Sequence, residues 1–234
     1  MNVFQWTSVF TLFGGSFDPP HTGHREAVLG LLQDPGVKHV CILPSGQTPL
    51  KENRMNAEDR LEMTRLCFSG IPEEKISISD FELRRNRETD LPSYTYHTIL
   101  AYQKQLSPDT PLAFVIGSDQ LENLPNWYEG RKLLSLCHWI VLKRKPESVA
   151  SIQKKLRILQ DLELLTTQEV APNEYLLADQ KHHLRLVTTN APEISSSDIR
   201  EQLSHQKLEN GVLLPEVLDY IQKRGLYSTQ ERNA

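Results

Sequence analysis

The stretch that decides the fold joins an apolar segment to a helix start through two glycines and two histidines, and it reads Leu12-Phe13-Gly14-Gly15-Ser16-Phe17-Asp18-Pro19-Pro20-His21-Thr22-Gly23-His24. The apolar run Val9–Phe13 is typical of a buried strand, and Glu26–Leu32 has the spacing of a helix. The glycines and histidines therefore lie at a strand-to-helix turn. A helix start leaves N–H donors unpaired and carries about half a positive charge, so such a turn suits a phosphate.

The residue types at this turn fit the same ligand. Gly14 and Gly15 let the backbone approach an anion without an intervening Cβ. His21 and His24 lie on one side of a helical turn and can donate hydrogen bonds to one phosphate chain. They also resemble half of a metal site, but they supply two ligands where zinc takes three or four. Each residue alone is usually structural, whereas the combination favours a phosphate site.

The segment resembles the N-terminal signature of nucleotidyltransferases with an H-x-G-H motif, which include phosphopantetheine adenylyltransferases, cytidylyltransferases and the adenylyltransferases of NAD synthesis. The resemblance implies a triphosphate site in which His21 and His24 contact phosphates and act in catalysis. It also implies that ATP is bound by the residues of the glycine turn, which are Gly14, Gly15, Ser16 and Phe17.

Length and composition exclude several classes of protein. The chain has 234 residues and a net charge of −4, which argues against a general nucleic-acid binder. No apolar run is long enough to span a bilayer, and Met1–Thr7 lacks the features of a signal peptide. Cys41, Cys67 and Cys137 are widely spaced and odd in number, so we expect them in the core. A cytoplasmic protein without membrane or nucleic-acid partners is the expectation.

The alternation of strand and helix patterns predicts an α/β fold. Strand-like runs occur at Val9–Phe13, His39–Leu43, Lys75–Ser79, Leu112–Ile116, Trp139–Leu142 and Leu184–Val187. Helical patterns occur at Arg25–Leu32, Ala57–Phe68, Tyr96–Gln105, Tyr128–Leu136, Val149–Leu159, Ser197–His205 and Pro215–Lys223. This order favours a Rossmann-like, doubly wound parallel sheet with a small C-terminal helical part. We expect a surface loop at Leu83–Pro92, and Thr166–His183 has no clear period.

Ligands of open parallel sheets bind beyond the carboxyl ends of the strands. Gly14 follows the first predicted strand and Gly117-Ser118-Asp119 follows the fourth, so the candidate residues meet at this edge. The G-x-G-x-x-G fingerprint is missing after the first strand, which makes a dehydrogenase holding NAD a poor interpretation.

A second motif, Ile194-Ser195-Ser196-Ser197-Asp198-Ile199-Arg200, is a hydroxyl-rich helix start that ends in arginine. Ser195 or Ser196 is a suitable N-cap, and from this segment alone a capped helix with an exposed arginine is the better interpretation. It resembles the I-S-S-T-x-I-R motif of the same family, with Ser197 where threonine is usual. The resemblance implies that Ser196, Ser197 and Arg200 bind the β- and γ-phosphates, with Arg200 acting in catalysis. It also implies that Ile199 belongs to the ATP-binding residues. We expect one domain over residues 1–234, with 196–227 as its C-terminal helical subdomain.

Two further segments are Ser93-Tyr94-Thr95 and the stretch from Gly117-Ser118-Asp119 to Leu124-Pro125-Asn126-Trp127-Tyr128. Both resemble segments of bacterial nicotinate-mononucleotide adenylyltransferases. The resemblance places ATP-binding residues at Lys51, Gly117 and Asp119. It places the residues that bind the pyridine mononucleotide at Ser93, Tyr94, Thr95, Trp127 and Arg144. The likeness extends from Leu12 to Tyr227 and is weakest over Glu147–His183.

The resemblance implies transfer of AMP from ATP to nicotinate mononucleotide, with pyrophosphate as the second product. Mg²⁺ would accompany ATP, with few protein ligands and several waters, and Asp119 would contact the hydrated ion or a ribose hydroxyl. The alternatives are a sibling enzyme that uses nicotinamide mononucleotide or phosphopantetheine, and a nucleotide-binding sensor without catalysis. The sequence leaves open the choice between the acid and the amide, and between a monomer and a homo-oligomer.

Overall fold

The computed structural model describes residues 4–47, 55–144 and 147–228, and within them the chain forms an eight-stranded sheet. The strands are β1 (Phe10–Gly15), β2 (Val40–Pro44), β3 (Ile76–Ile78), β4 (Leu112–Gly117), β5 (His138–Arg144), β6 (Leu165–Ala171), β7 (Glu174–Leu177) and β8 (His183–Thr189). The helices are α1 (Thr22–Leu32), α2 (Ala57–Cys67), α3 (Phe81–Thr89), α4 (Thr95–Gln105), α5 (Gly130–Leu134), α6 (Val149–Asp161), α7 (Ser196–Ser204) and α8 (Pro215–Arg224).

The strand order is β3-β2-β1-β4-β5-β8-β7-β6. The first six strands in this order are parallel, and β7 and β6 extend the sheet in antiparallel fashion. The order reverses between β1 and β4, which pair directly, for example at Phe13 and Val115. A reversal of this kind opens a crevice beyond the strand ends, so the topology itself places a ligand site there.

Both faces of the central strands are buried, as the runs of apolar residues in β1, β2, β4 and β5 require. Neighbouring residues of β1 show the alternation, because Phe13 packs with the core that contains α1, α2, α7 and α8, whereas Leu12 packs with the core of α4, α5 and α6. The structure thus confirms the predicted α/β sheet with helices on both faces. Ile199 of α7 and Val217 of α8 belong to the same apolar core as α1.

The loop predicted over Leu83–Pro92 is wrong, because most of this segment lies in α3. The inner side of α3 buries Leu83 together with a carboxylate, Glu82, and the rest of the helix is polar. A helix whose buried side includes a charged residue has little apolar periodicity, so the pattern failed to predict it.

The unassigned stretch Thr166–His183 contains most of β6 and all of β7. The middle of β6 is exposed on both faces at the edge of the sheet, which removes the apolar alternation by which strands are found. All three cysteines are buried and free, which confirms that they are core residues. None of the described helices is long and apolar enough to cross a membrane.

Candidate nucleotide-binding site

A cavity of about 290 Å³ opens at the carboxyl ends of β1 and β4, where the strand order reverses. Its walls come from the turn after β1 and the first turn of α1, the end of β2, the start of α3, the segment before α4, and β4 with the turn after it, together with Trp127. Nine of the predicted site residues line it, which are Gly14, Gly15, Ser16, His24, Ser93, Thr95, Gly117, Asp119 and Trp127. The fold therefore brings both predicted substrate regions to one crevice.

The two glycines of the turn leave no room for a side chain. A Cβ on Gly14 would lie 2.7 Å from Cζ of Phe114, and one on Gly15 would lie 3.1 Å from Cζ of Phe17. Phe17 is fully buried, so it supports the turn from behind. Close packing thus favours glycine at both positions, in addition to any need for the backbone to approach an anion.

The two histidines cap helix α1 reciprocally. His21 is the N-cap residue, and its ring accepts from the backbone N–H of His24 while Nδ1 of His24 accepts from the N–H of His21 at 3.3 Å. The ring centroids are 3.7 Å apart. Because Nδ1 of a neutral His24 ring accepts a hydrogen bond, the ring proton belongs on Nε2, which is then available as a donor. His24 lines the cavity, whereas His21 is buried beside it.

Gly23, the glycine of the motif, keeps this pair in place. A Cβ there would lie 3.0 Å from Nδ1 of His21 and 3.1 Å from the carbonyl oxygen of Pro192. Any side chain would displace the His21 ring or the segment that leads into α7. Close packing between the start of α1 and the segment before α7 thus accounts for the glycine of the motif.

The second motif docks onto the loop between β1 and α1. Ser195 is the N-cap of α7 and accepts from the N–H of Ser197. Ser196 Oγ donates to the carbonyl of Pro19 at 2.9 Å. Arg200 donates through Nη1 to the carbonyl of Asp18 at 2.6 Å and through Nη2 to Ser197 Oγ at 3.0 Å. The two motifs, 170 residues apart in sequence, form one structure.

The remaining residues of these motifs lie outside the walls of this cavity. They are Phe17, His21, Ser196, Ser197, Ile199 and Arg200. Ile199 is buried in the core beneath α7, and Phe17 in the core beneath the turn. Their phosphate-binding roles stay predictions.

The segment Ser93-Tyr94-Thr95 divides between the cavity and the surface. Ser93 and Thr95 line the cavity, and Ser93 Oγ accepts from the N–H of Gly46 at 3.1 Å. The Tyr94 ring instead stacks against Tyr128, with centroids 4.5 Å apart. Trp127 is half-buried against the apolar core and presents part of its surface to the cavity.

The turn after β4 carries Asp119, one of two carboxylates that line the cavity, the other being Glu82. Asp119 folds back over Gly117, where a Cβ would collide with its Oδ1, and accepts from Nε2 of Gln120 at 2.6 Å. Ser118 donates to Glu147, which pairs with Lys155 at 2.7 Å. Among the described residues no group of three or more His, Cys, Asp or Glu side chains could hold a metal ion. Lys51 lies outside the described residues, and Arg144 ends β5 with its side chain outside them.

Two buried charged residues beside the cavity were missed from the sequence. Arg60 of α2 donates to the carbonyls of Ser16 and Gly46, at 2.7 and 3.2 Å, and burial lowers its pKa while nearby carboxylates oppose that shift. Glu82 of α3 accepts from Thr98 Oγ1 at 2.6 Å, and burial raises its pKa. Neither belongs to a recognisable motif, so burial of a charge beside the turn was the only signal, and it is visible only in three dimensions.

Comparison with known proteins identifies the family. Residues 12–202 match the model of the cytidylyltransferase-like family. A relative from Yersinia pestis is 33% identical over 94% of this chain and 96% of its own length. One from Serratia proteamaculans is 34% identical over 97% and 98%. Both are named "Probable nicotinate-nucleotide adenylyltransferase". This chain belongs to the nicotinate-nucleotide adenylyltransferases of the cytidylyltransferase-like family.

A solved nicotinate-nucleotide adenylyltransferase has the same fold. The nicotinic acid mononucleotide adenylyltransferase of Plasmodium falciparum, solved in complex with NaAD, is 22% identical and superposes with a TM-score of 0.68 over 93% of this chain and 96% of its own. At this identity the likeness shows the fold alone. Together with the relatives, it confirms the family resemblance predicted from the H-x-G-H segment.

Proposed function

We propose that the protein transfers AMP from ATP to nicotinate mononucleotide, giving nicotinate adenine dinucleotide and pyrophosphate, as a step of NAD biosynthesis. The observation that carries the proposal is the cavity itself, which is lined by the imidazole of His24 and the glycine turn as well as by Ser93, Thr95 and Trp127. The turn proposed to bind phosphate and a wall suited to a flat polar ring would thus share one crevice. The names of the relatives from Yersinia pestis and Serratia proteamaculans support the same reaction.

The chemistry needs little from the protein beyond positioning. A phosphate oxygen of the mononucleotide attacks the α-phosphorus of ATP in line, and pyrophosphate leaves. The second pKa of a phosphate monoester is about 6, so the nucleophile is already anionic near neutral pH and no general base is required. Catalysis then rests on orientation and on stabilising charge along the phosphate chain.

The capping geometry gives His24 a defined role in this scheme. Its Nδ1 is engaged by the backbone of His21, so Nε2 donates to an α- or β-phosphate oxygen. Arg200 and the hydroxyls at the start of α7 hold the leaving pyrophosphate. In the structure Arg200 already bonds to the loop that carries the histidines, which preorients it next to them.

Mg²⁺ is included in the proposal as the companion of ATP. The described residues fit an ion held mainly by phosphates and water, since Asp119 supplies one carboxylate to the cavity and no larger ligand group is present among them. Asp119 would contact the hydrated ion, whose charge offsets that of the triphosphate.

The proposal also covers organisation, remaining contacts and location. We propose one domain over residues 1–234, with 196–227 as its C-terminal helical subdomain, because α7 and α8 share the core of α1. Tyr94, Lys51 and Arg144 are proposed to contact the substrates as the family resemblance implies. A cytoplasmic location suits an enzyme whose substrates are ATP and a free nucleotide.

The test is pyrophosphate release from ATP and Mg²⁺ with nicotinate mononucleotide, its amide or phosphopantetheine as acceptor. We expect release to be fastest with nicotinate mononucleotide. Faster release with the amide or with phosphopantetheine would replace the proposed acceptor. No release with any of them, together with retained ATP binding, would favour a nucleotide sensor.

A further inference from the structure

Gly46, in the turn after β2, is held between two buried side chains of opposite charge. Its carbonyl accepts from Nη2 of Arg60 at 3.2 Å, and its N–H is bonded by Glu82 and by Ser93 Oγ. Arg60 is 2% exposed and Glu82 is 6% exposed. The cation thus contacts the negative end of the peptide group that follows Gly46, and the anion contacts the positive end of the peptide group that precedes it.

This arrangement explains how two charges are tolerated inside the protein. A buried charge is costly unless hydrogen bonds and an opposite charge compensate it. Here the compensation runs through the backbone of one residue, so α2, α3 and the turn after β2 are held together at Gly46. A Cβ on Gly46 would lie 2.7 Å from Ser93 Oγ and 2.8 Å from the carbonyl oxygen of Glu82, which shows how closely they pack.

The joined segments form one wall of the cavity. Ser45, Glu82 and Ser93 all line it, and the N–H of Ser45 donates to the carbonyl of Gly15 at 2.8 Å. The hydroxyl of Ser45 is buried and has no hydrogen-bond partner within the described parts of the chain. A buried hydroxyl without a partner is costly, so this wall offers a polar atom that a ligand can satisfy.

We propose that Glu82 is a positioning residue for the acceptor nucleotide, which acts by fixing Gly46 and, through it, Ser45 and Ser93. Arg60 ties the same wall to the turn after β1, because it also donates to the carbonyl of Ser16 at 2.7 Å. The inference rests on the proposed function, because it takes the Ser93 wall as the acceptor side of the cavity. ATP is assigned to the opposite walls, after β1 and β4. Weakening the bonds that Glu82 makes should therefore weaken binding of the acceptor nucleotide and leave binding of ATP largely unchanged.

Two substitutions weaken the link at Glu82 in different ways. Glu82→Gln removes the negative charge. It also leaves a single acceptor oxygen for three donors, which are the N–H of Gly46 and the hydroxyls of Thr98 and Ser93. Thr98→Val, on α4, deletes the 2.6 Å hydrogen bond to Glu82 Oε1 and leaves the carboxylate in place. Thr98 is fully buried outside the cavity walls, so its effect on a substrate is indirect. Its short bond is to Glu82, and the carbonyl of Tyr94 lies farther away, at 3.4 Å.

The experiment measures steady-state KM for each substrate, together with calorimetric binding of nicotinate mononucleotide and of a non-hydrolysable ATP analogue. Loss of a hydrogen bond to a charged group weakens binding about tenfold, so we expect KM and Kd for nicotinate mononucleotide both to rise about tenfold. The values for ATP and its analogue should change less than about twofold, because their subsite is untouched. Glu88→Gln, on the exposed face of α3, is the matched control and should leave all values unchanged.

The outcomes separate this inference from the proposed function. Equal weakening of both substrates, or no weakening in a folded Glu82→Gln variant, would overturn the positioning role. If Glu82→Gln does not fold, Thr98→Val decides by the same criteria. Failure of the wild-type protein to release pyrophosphate with nicotinate mononucleotide would instead overturn the proposed function.

Discussion

At the scale of single residues, His24 makes two kinds of contact that a simple truncation would remove together. Its Nδ1 accepts from the N–H of His21 and closes the start of α1, and its Nε2 is the proposed phosphate donor. We expect His24→Ala to lower kcat about a hundredfold, as loss of one transition-state donor does, with a smaller effect on KM for ATP. Steady-state kinetics with both substrates measure the split.

A second variant separates the capping bond from catalysis. Glutamine at this helix position can accept the bond from the N-cap N–H through its amide oxygen, but its amide nitrogen lies on a more flexible side chain than the ring Nε2 and is a less fixed donor. His24→Gln should therefore recover the thermal stability lost in His24→Ala while kcat stays below about a tenth of the wild-type value. Turnover near wild type in both His24→Ala and His24→Gln would show that His24 is not needed as a phosphate donor.

Trp127 is half-buried in the apolar core and also lines the cavity, so packing and binding need to be distinguished. We expect Trp127→Ala to raise KM for nicotinate mononucleotide about tenfold or more, because an aromatic face is lost, and to leave KM for ATP little changed. Trp127→Phe retains an aromatic face, so its KM for nicotinate mononucleotide should lie between those of wild type and Trp127→Ala. An equal rise of both KM values in Trp127→Ala would make Trp127 a packing residue.

At the scale of elements, α7 is held against the loop before α1 by hydrogen bonds from Ser196 and Arg200. Lysine lacks the planar fork with which Arg200 reaches two acceptors at once. We expect Arg200→Lys to lower kcat about tenfold to a hundredfold with little loss of thermal stability, since most of the α7 core contact comes from Ile199. Arg157→Lys, exposed on α6, is the control. Unchanged kcat in Arg200→Lys would show that Arg200 does not take part in the reaction.

The elements also show where sequence reasoning succeeds. The parallel strands could be predicted because they are short, mostly apolar runs that alternate along the chain with helical patterns, which is typical of a parallel sheet. Helix α3 was missed because it buries Glu82, and β6 was missed because it lies exposed at the edge of the sheet. Arg60 and Glu82 carry no motif. Their importance comes from burial beside Gly46, which no local pattern encodes.

At the scale of the whole molecule, histidines gather at the edge of the sheet opposite the cavity. His138, at the start of β5, accepts through Nδ1 from the N–H of His183, and Phe4 stacks on both rings. Burial, together with the neighbouring His182 and His183, lowers the pKa of His138 from 6.5 to about 3, although Asp179 opposes the shift. The folded protein thus resists protonation there more strongly than the unfolded chain does.

This depressed pKa makes stability depend on pH in a definite direction. Between pH 6.5 and about 3 the unfolded chain binds a proton that folded His138 does not, so the free energy of unfolding falls as the pH falls through this window. The contribution is about 1.4 kcal/mol per pH unit at most. Denaturant unfolding at several pH values should show a shallower decline for His138→Gln than for wild type or for the exposed control His205→Gln. The same slope in all three proteins would contradict the assignment.

The reaction assigned to the whole molecule is transfer of the adenylyl group of ATP, which is AMP joined through its α-phosphate, to a pyridine mononucleotide. The sheet topology, the paired histidines and the docked α7 helix all lie at or beside the crevice that is proposed to hold the phosphate chain. The most direct measurement uses ATP radiolabelled at either the α- or the γ-phosphate, with nicotinate mononucleotide and Mg²⁺, followed by separation of the products. Label from the α-phosphate should appear in the dinucleotide and label from the γ-phosphate in pyrophosphate. Appearance of the γ-label in the pyridine nucleotide product would mean phosphoryl transfer and would contradict adenylyl transfer.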